Sequence, residues 1–226
     1  MEKNLNHNNI ITSKPWSWEN VTDNVWRTPE PICYYLINRW KQQNKTSFLD
    51  IGCGLGRHSF FFAENGFKVT AFDLSDYAIC EVEKNIKKFN IEINLFKGDI
   101  IDLELPTESI DCMLAFMSLN HTDTQGFKKT LNDINRILKK DGEIFFTIPA
   151  KSSKLFTENV TKLDKNSVIF NDDGPEKGIP HFFANESDLK GILSDFEIIN
   201  IDYVKKVDLQ NKNYTAHYFI LAKKRT

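Results

Sequence analysis

The sequence is poor in cysteine. The four it has, Cys33, Cys53, Cys80 and Cys112, form neither a C-x-x-C pair nor a spacing that suits metal ligands. Each lies in or beside an apolar run, so they read as buried free thiols, the usage of a reducing compartment, and no metal is expected. No uninterrupted apolar run reaches the roughly 20 residues that a bilayer span needs. Met1 to Asn9 is polar and asparagine-rich, without the apolar centre of a signal peptide. An excess of one charge is lacking too: 29 Lys and Arg against 31 Asp and Glu leave a formal net charge of -2. That balance gives no reason to expect nucleic acid or an anionic membrane as partner. The expectation is a cytoplasmic protein of one domain, since neither repeats nor a clear linker divide the 226 residues.

The stretch with most information is Phe48-Leu49-Asp50-Ile51-Gly52-Cys53-Gly54-Leu55-Gly56-Arg57. An apolar run ends in an acid and breaks into alternating glycines, which reads as a buried strand, a side-chain-free turn and a helix from His58 to Glu64. Glycine permits positive φ and lets a ligand lie against the main chain, while the helix N-terminal amides face it. This is the nucleotide-cofactor corner of a doubly wound sheet. A dinucleotide fingerprint, G-x-G-x-x-G, would need its third glycine at position 57, where Arg57 stands.

Downstream, Lys68 to Leu74 reads as a second strand ending in Asp73, about 20 residues after the loop and placed to accept hydrogen bonds from ribose hydroxyls. A helix capped by Ser75 follows, with Ile79, Val82, Ile86 and Phe89 on its apolar face. A third strand, Ile93 to Lys97, closes with Gly98-Asp99-Ile100, an acid and an apolar residue suited to the amine and face of a base. Ile110 to Met117 reads as a fourth, fully buried strand, Thr124 to Lys140 as a helix, and Glu143 to Ile148 as a fifth strand. After a less regular stretch and a short helix capped by Ser187, Phe196 to Val204 and Ala216 to Lys223 form an antiparallel hairpin turning near Asn211 to Asn213. The expected fold class is α/β, a doubly wound, mostly parallel sheet with a C-terminal antiparallel hairpin.

Before the glycine loop, residues 1 to 14 offer little to bury and are expected to be disordered or loosely attached. Trp16, Trp18 and Trp26 then cluster ahead of a helix, Ile32 to Trp40, with Ile32, Tyr35, Leu36 and Trp40 on one face. This segment either packs over a sheet edge or forms an aromatic flap over the pocket.

Taken together, these motifs resemble the class I S-adenosylmethionine-dependent methyltransferases. The resemblance runs from Phe48 to about Pro149 and rests on the D-x-G-x-G-x-G loop, on Val69-Thr70-Ala71-Phe72-Asp73-Leu74-Ser75 and on Gly98-Asp99. The run Ile134-Asn135-Arg136-Ile137-Leu138-Lys139-Lys140-Asp141-Gly142-Glu143 adds a fourth element in the right order. It implies a Rossmann-like seven-stranded sheet, with S-adenosyl-L-methionine as cofactor. By the same resemblance, Gly52 and Gly54 would carry the methionine part and Asp50 would serve its amino group. Asp73 would hold the ribose, Asp99 the adenine amine, Leu74 and Ile100 the adenine ring, and Phe116 would offer its backbone carbonyl to the methionine ammonium. The implied division of the chain is a tail (1–14) and a single methyltransferase domain (15–226). Within that domain, 15–45 is an N-terminal flap and helix, 46–150 the cofactor core, and 151–226 an acceptor-site insertion with the closing hairpin.

The implied reaction is in-line methyl transfer, in which a general base is needed only if the nucleophile must lose a proton. His121 is the candidate base, since its position faces the methyl group in the expected topology. Trp26, Tyr34, His181 and His217 are candidates for an acceptor pocket, with Tyr35 and Tyr218 as further aromatics. No N-P-P-Y tetrapeptide, catalytic cysteine motif or basic nucleic-acid module is present, so a small-molecule acceptor is expected. Two other readings stay open at this point: a non-catalytic protein that binds S-adenosylmethionine or S-adenosylhomocysteine for regulation, and a nicotinamide-dependent oxidoreductase. The latter is opposed by Arg57 and by the lack of a Tyr-x-x-x-Lys motif.

Overall fold

The computed structural model describes residues 13–174, 176–209 and 213–225. The expected disorder of residues 1–12 and the hairpin turn at 210–212 therefore lie outside the described residues.

A seven-stranded sheet carries the fold. Its parallel part comprises β1 (Ser47–Ile51), β2 (Lys68–Asp73), β3 (Ile93–Lys97), β4 (Ile110–Ala115) and β5 (Leu138–Pro149). These strands alternate with α1 (Ile32–Gln42), α2 (Arg57–Glu64), α3 (Asp76–Phe89) and α4 (Thr124–Ile137). A small antiparallel sheet follows, of β6 (Val160–Lys162), β7 (Ser167–Phe170) and β8 (Pro180–Phe182), and then α5 (Glu186–Ile192). The last two strands, β9 (Phe196–Asp208) and β10 (Asn213–Lys224), form the hairpin, and β10 runs antiparallel to both β5 and β9.

Spatial order in the large sheet is β3-β2-β1-β4-β5-β10-β9. The chain moves outward from β1 to β3, then returns to the other side of β1 at β4. Loops leaving β1 and β4 therefore diverge, and a crevice opens between them at the C-terminal edge of the sheet.

Both faces of the sheet are covered, which explains the largely apolar character of β1 and β4. On one face α1 and α2 pack Leu36, Trp40 and Phe62 onto Phe48, whose ring stacks on Phe62 at 3.8 Å. On the other, α4 and α5 bury Phe127, Leu131, Ile134 and Leu189 against Leu49, Met113 and Ile144. A polar tie fixes α1 to β5. The buried Glu143 accepts hydrogen bonds from Arg39 Nε (2.9 Å) and a second Arg39 nitrogen (2.8 Å), from Trp40 Nε1 (2.9 Å) and from Gln43 Nε2 (3.1 Å).

Several sequence expectations need correction. The buried face of α1 is Cys33, Leu36, Ile37 and Trp40, so Tyr35 points outward at 52% exposure. Phe89 is also exposed, because α3 ends there and Asn90 turns the chain away in a left-handed conformation. Cys80 is exposed on α3 while the other three cysteines are buried. Leu138 begins β5, not the last turn of α4, and α5 is capped by Asn185, with Ser187 inside its first turn. The small antiparallel sheet had no forecast: its strands are three or four residues long, too short to show a period.

Candidate active site

The crevice predicted by the strand order is a real cleft. Its floor is the loop after β1, where Gly52 and Gly54 have φ of +69° and +53°. The glycines are required sterically as well. A Cβ on Gly52 would lie 2.6 Å from Ser118 Cβ, and one on Gly54 would enter the Trp18 ring. The loop is closed from β2 by Asp73, whose Oδ2 accepts from Gly54 N (2.8 Å) and whose Oδ1 accepts from Ser75 N (2.9 Å). Burial raises the Asp73 pKa, opposed by these backbone amides and that of Leu74. Asp73 thus shapes the loop and also presents its carboxylate on the cleft wall, beside Leu74, Asp99 and Ile100.

The β4 loop forms the opposite lip. Met117 adopts φ +54°, held by its N–H on Thr147 Oγ1 (2.8 Å), and Ser118 Oγ donates to Ile51 O (2.6 Å). These two bonds turn Phe116 and His121 into the cleft.

An aromatic wall comes from the N-terminal segment. Trp16, Trp18 and Trp26 contact one another with ring centroids 4.5 to 5.7 Å apart. Arg57 anchors them, donating to Val25 O (2.8 Å) and Thr28 O (3.2 Å), with its guanidinium 5.2 Å from the Trp26 ring and 5.4 Å from Phe116. In the sequence Arg57 had meaning only as a broken fingerprint. Its second role, holding the flap to the glycine loop, needs the fold to be seen.

The far wall is the small sheet. Phe182 N donates to Asn120 O (2.7 Å), and the Phe182 ring stacks on Phe127 at 4.1 Å, so β8 is pinned to the β4 loop. This pin sets His181 against His121, with ring centroids 4.9 Å apart. Glu176 joins them: its Oε1 is 3.6 Å from His181 Nε2 and 3.9 Å from His121 Nε2. Burial pushes the His121 pKa down to about 3, with the neighbouring His181 adding to the effect and Glu176 opposing it. His217, reaching the cleft from β10, is pushed down to about 4, chiefly by burial. Burial raises the Glu176 carboxyl, but His181, His121 and His217 prevail and hold it below its usual range.

Of the residues picked from sequence, Gly52, Asp73, Leu74, Asp99, Ile100, Phe116, Trp26, His121, His181 and His217 all border this cleft. Gly54 contributes through its N–H to Asp73. Asp50 does not reach it. It lies beneath the loop at 1% exposure, accepting from Ser59 Oγ at 2.6 Å, and burial pushes its pKa up to about 7. Tyr34 is displaced altogether: at 61% exposure it sits on the outer face of α1 with its ring edge on Phe61. Tyr218 is buried against Tyr203, away from the cleft. Trp16 and Trp18 line the cleft with Trp26, as the flap reading expects, whereas sequence reasoning missed Glu176 and Phe170. Glu176 sits in a polar loop with no motif around it, and only the β8 pin brings it to the histidines.

A doubly wound α/β protein with a glycine-loop cleft at its topological switch point, a carboxylate at the β2 tip and an antiparallel last hairpin is the class so defined. Comparison with known proteins makes it specific. Residues 48–142 match the family model described as a methyltransferase domain. The chain is 25% identical over 154 residues to a putative methyltransferase of Geobacillus sp. (strain WCH70), covering 66% of this chain and 62% of that protein. It is 31% identical over 140 residues to an S-adenosyl-L-methionine-dependent Diels-Alderase of Talaromyces variabilis, covering 60% and 46%. The chain thus matches about half to three fifths of the length of these curated relatives. In structure it resembles a SAM-dependent methyltransferase of Methanosarcina mazei, with a TM-score of 0.70 at 20% identity over 87% of this chain and 98% of that one. The match to a methyltransferase domain is thus carried by residues 48–142, and the fold is similar to that of S-adenosylmethionine-dependent methyltransferases.

Among the described residues no helix is long and apolar enough to cross a membrane.

Proposed function

We propose that this protein transfers the methyl group of S-adenosyl-L-methionine to a small-molecule acceptor bound between the tryptophan wall and the small sheet. The observation that carries this reading is the sharing of one cleft by two unlike sets of groups. One is the glycine loop with Asp73, Leu74, Asp99 and Ile100; the other is the group His121, His181, Glu176 and His217.

The first set fits the cofactor. Asp73 accepts from the backbone amides of Gly54, Ser75 and Leu74, and its two oxygens are the acceptors on this wall for the ribose hydroxyls. Asp99 takes the adenine amine while Leu74 and Ile100 cover the ring. Gly52 lets the methionine part lie on bare backbone, Gly54, covered by the Trp18 ring, serves through its N–H on Asp73, and the Phe116 carbonyl receives the methionine ammonium. Buried and bonded to Ser59, Asp50 acts on that ammonium through the loop and its field rather than by contact. When bound, the cofactor supplies a sulfonium methyl that a nucleophile takes by in-line displacement. The chain itself orients the two reactants and excludes water with Trp16, Trp18 and Trp26. His121 is neutral at physiological pH and carries a lone pair, so it serves as proton acceptor if the nucleophile must lose a proton.

On this reading residues 15–45 are the flap and its helix, 46–150 hold the cofactor, and 151–226 complete the acceptor side. The free thiols support a cytoplasmic setting.

The test is release of S-adenosylhomocysteine across an acceptor panel of small hydroxy, amino and carboxylic compounds, alongside calorimetry with S-adenosylmethionine, S-adenosylhomocysteine and NAD. Tight NAD binding without the other two would sink the reading. Tight binding of both sulfur ligands with no turnover would favour a regulatory binder, or a use of the cofactor without methyl transfer such as the Talaromyces relative's name describes.

A further inference from the structure

Two imidazoles and a carboxylate converge on the far wall of the cleft. His181 is 2% exposed, and its Nδ1 lies 2.9 Å from Ile179 O. A carbonyl can only accept, so Nδ1 carries the proton and Nε2 of the neutral ring carries a lone pair. That Nε2 is buried with no hydrogen-bond partner, and it points at Glu176 Oε1 across 3.6 Å, beyond hydrogen-bond length. His121 Nε2 faces the same carboxylate oxygen at 3.9 Å. The ligand atoms of all three residues lie within 4.8 Å of one another.

We infer that His121, His181 and Glu176 form a binding site for a divalent transition-metal ion of the zinc type. Two imidazoles and one carboxylate are the donor set that suits such an ion, with a remaining position open to water or substrate. Bonds of about 2.0 to 2.1 Å in a tetrahedral site put ligand atoms about 3.4 Å apart, so separations of 3.6 and 3.9 Å to the carboxylate, within a set that spans at most 4.8 Å, close by side-chain turns. Orientation is already built in. The Nδ1 hydrogen bond to a backbone carbonyl fixes the His181 tautomer, and Phe170 stacks on its ring at 4.2 Å and 18°, the outer support that metal-binding histidines normally have. A cation also satisfies the orphaned nitrogen and the half-exposed carboxylate together, where a neutral His181 leaves acceptor facing acceptor.

The site stands on these three side chains alone; only its use in the reaction rests on the methyl-transfer reading. There the open position takes an oxygen of the acceptor, a hydroxyl or carboxylate, and favours its deprotonated form. In the loaded protein His121 is a ligand, and its proton-acceptor role belongs to the metal-free state.

The experiment is metal uptake by the full chain, free of any affinity tag and without S-adenosylmethionine. Zn2+ binding is followed by calorimetry and elemental analysis after dialysis, and Co2+ binding by visible absorption. One ion per chain is expected, with Co2+ bands of low coordination number. Affinity should fall by more than about 100-fold in both His181→Ala and Glu176→Gln, the second a half-exposed side chain whose change spares the core. Absence of stoichiometric uptake of either ion, or uptake that both variants retain, would overturn the proposal. Because no cofactor or acceptor is present, failure here leaves the methyl-transfer reading intact, and failed turnover with intact metal uptake does the reverse.

Discussion

Asp73 gives the sharpest test of the cofactor half of the site. Replacing it with alanine removes two things at once: the acceptor proposed for the ribose hydroxyls, and the acceptor that holds Gly54 N and Ser75 N at 2.8 and 2.9 Å. A hydrogen bond to a charged group contributes about 1.5 to 3 kcal/mol, so two lost ribose bonds cost about 3 to 6 kcal/mol. That is a loss in affinity of about 100-fold to 20,000-fold. The orphaned loop amides add to the cost by loosening the glycine turn. Calorimetric titration of S-adenosylhomocysteine into wild type and Asp73→Ala reads the effect, with thermal melting of the free proteins separating loop damage from lost contact. Asp73→Asn refines it: one amide oxygen cannot accept from both backbone donors and both hydroxyls, so its affinity should fall between the two. An Asp73→Ala protein that melts like wild type and binds within about threefold of it would refute the ribose role.

Asp50 should make stability depend on pH. Its folded pKa of about 7 lies above the usual carboxylate value, so the native state holds a proton that the unfolded chain has shed. The contribution is full below about pH 4 and lost as pH rises through about 7, by an amount on the order of 4 kcal/mol at most. Asp50→Asn keeps an acceptor for Ser59 Oγ and should flatten that decline in denaturant melts; an unchanged slope would show that another group causes it. Glu143→Ala should destabilise by about 3 to 5 kcal/mol, since it strands the Arg39 charge and the buried Trp40 Nε1. Melting should fall by about 6 to 20 °C, and a change under 2 °C, roughly the effect of less than 1 kcal/mol, would contradict the importance of the tie. Tyr34→Ala should leave cofactor affinity and turnover within about twofold of wild type, because the ring lies on the outer face of α1; a large loss in either would return Tyr34 to the acceptor site.

What the sequence by itself determined was everything written in local pattern. The apolar runs of β1, β2 and β4, the glycine loop, and the acids at positions 73 and 99 are contiguous signals. Each follows from short-range physics: strand burial, positive φ and strand-tip position. They sufficed for the doubly wound class and for the glycine-loop side of the cleft. Local pattern also misled where an element's rotation or end depended on its neighbours. Tyr34 and Tyr35 turn outward because Cys33, Leu36, Ile37 and Trp40 are the residues that fit over Phe48 and Phe62.

Only the tertiary structure decided the far wall of the cleft. His121, Glu176 and His181 are spread over sixty positions with no common motif, and they meet because Phe182 pins β8 to Asn120 through one backbone hydrogen bond and one stacked ring. The same holds for Arg57, whose bonds to Val25 and Thr28 span about thirty residues. Long-range pairing of this kind leaves no period or spacing in the chain, because its free energy comes from burial that exists only once the sheet has formed.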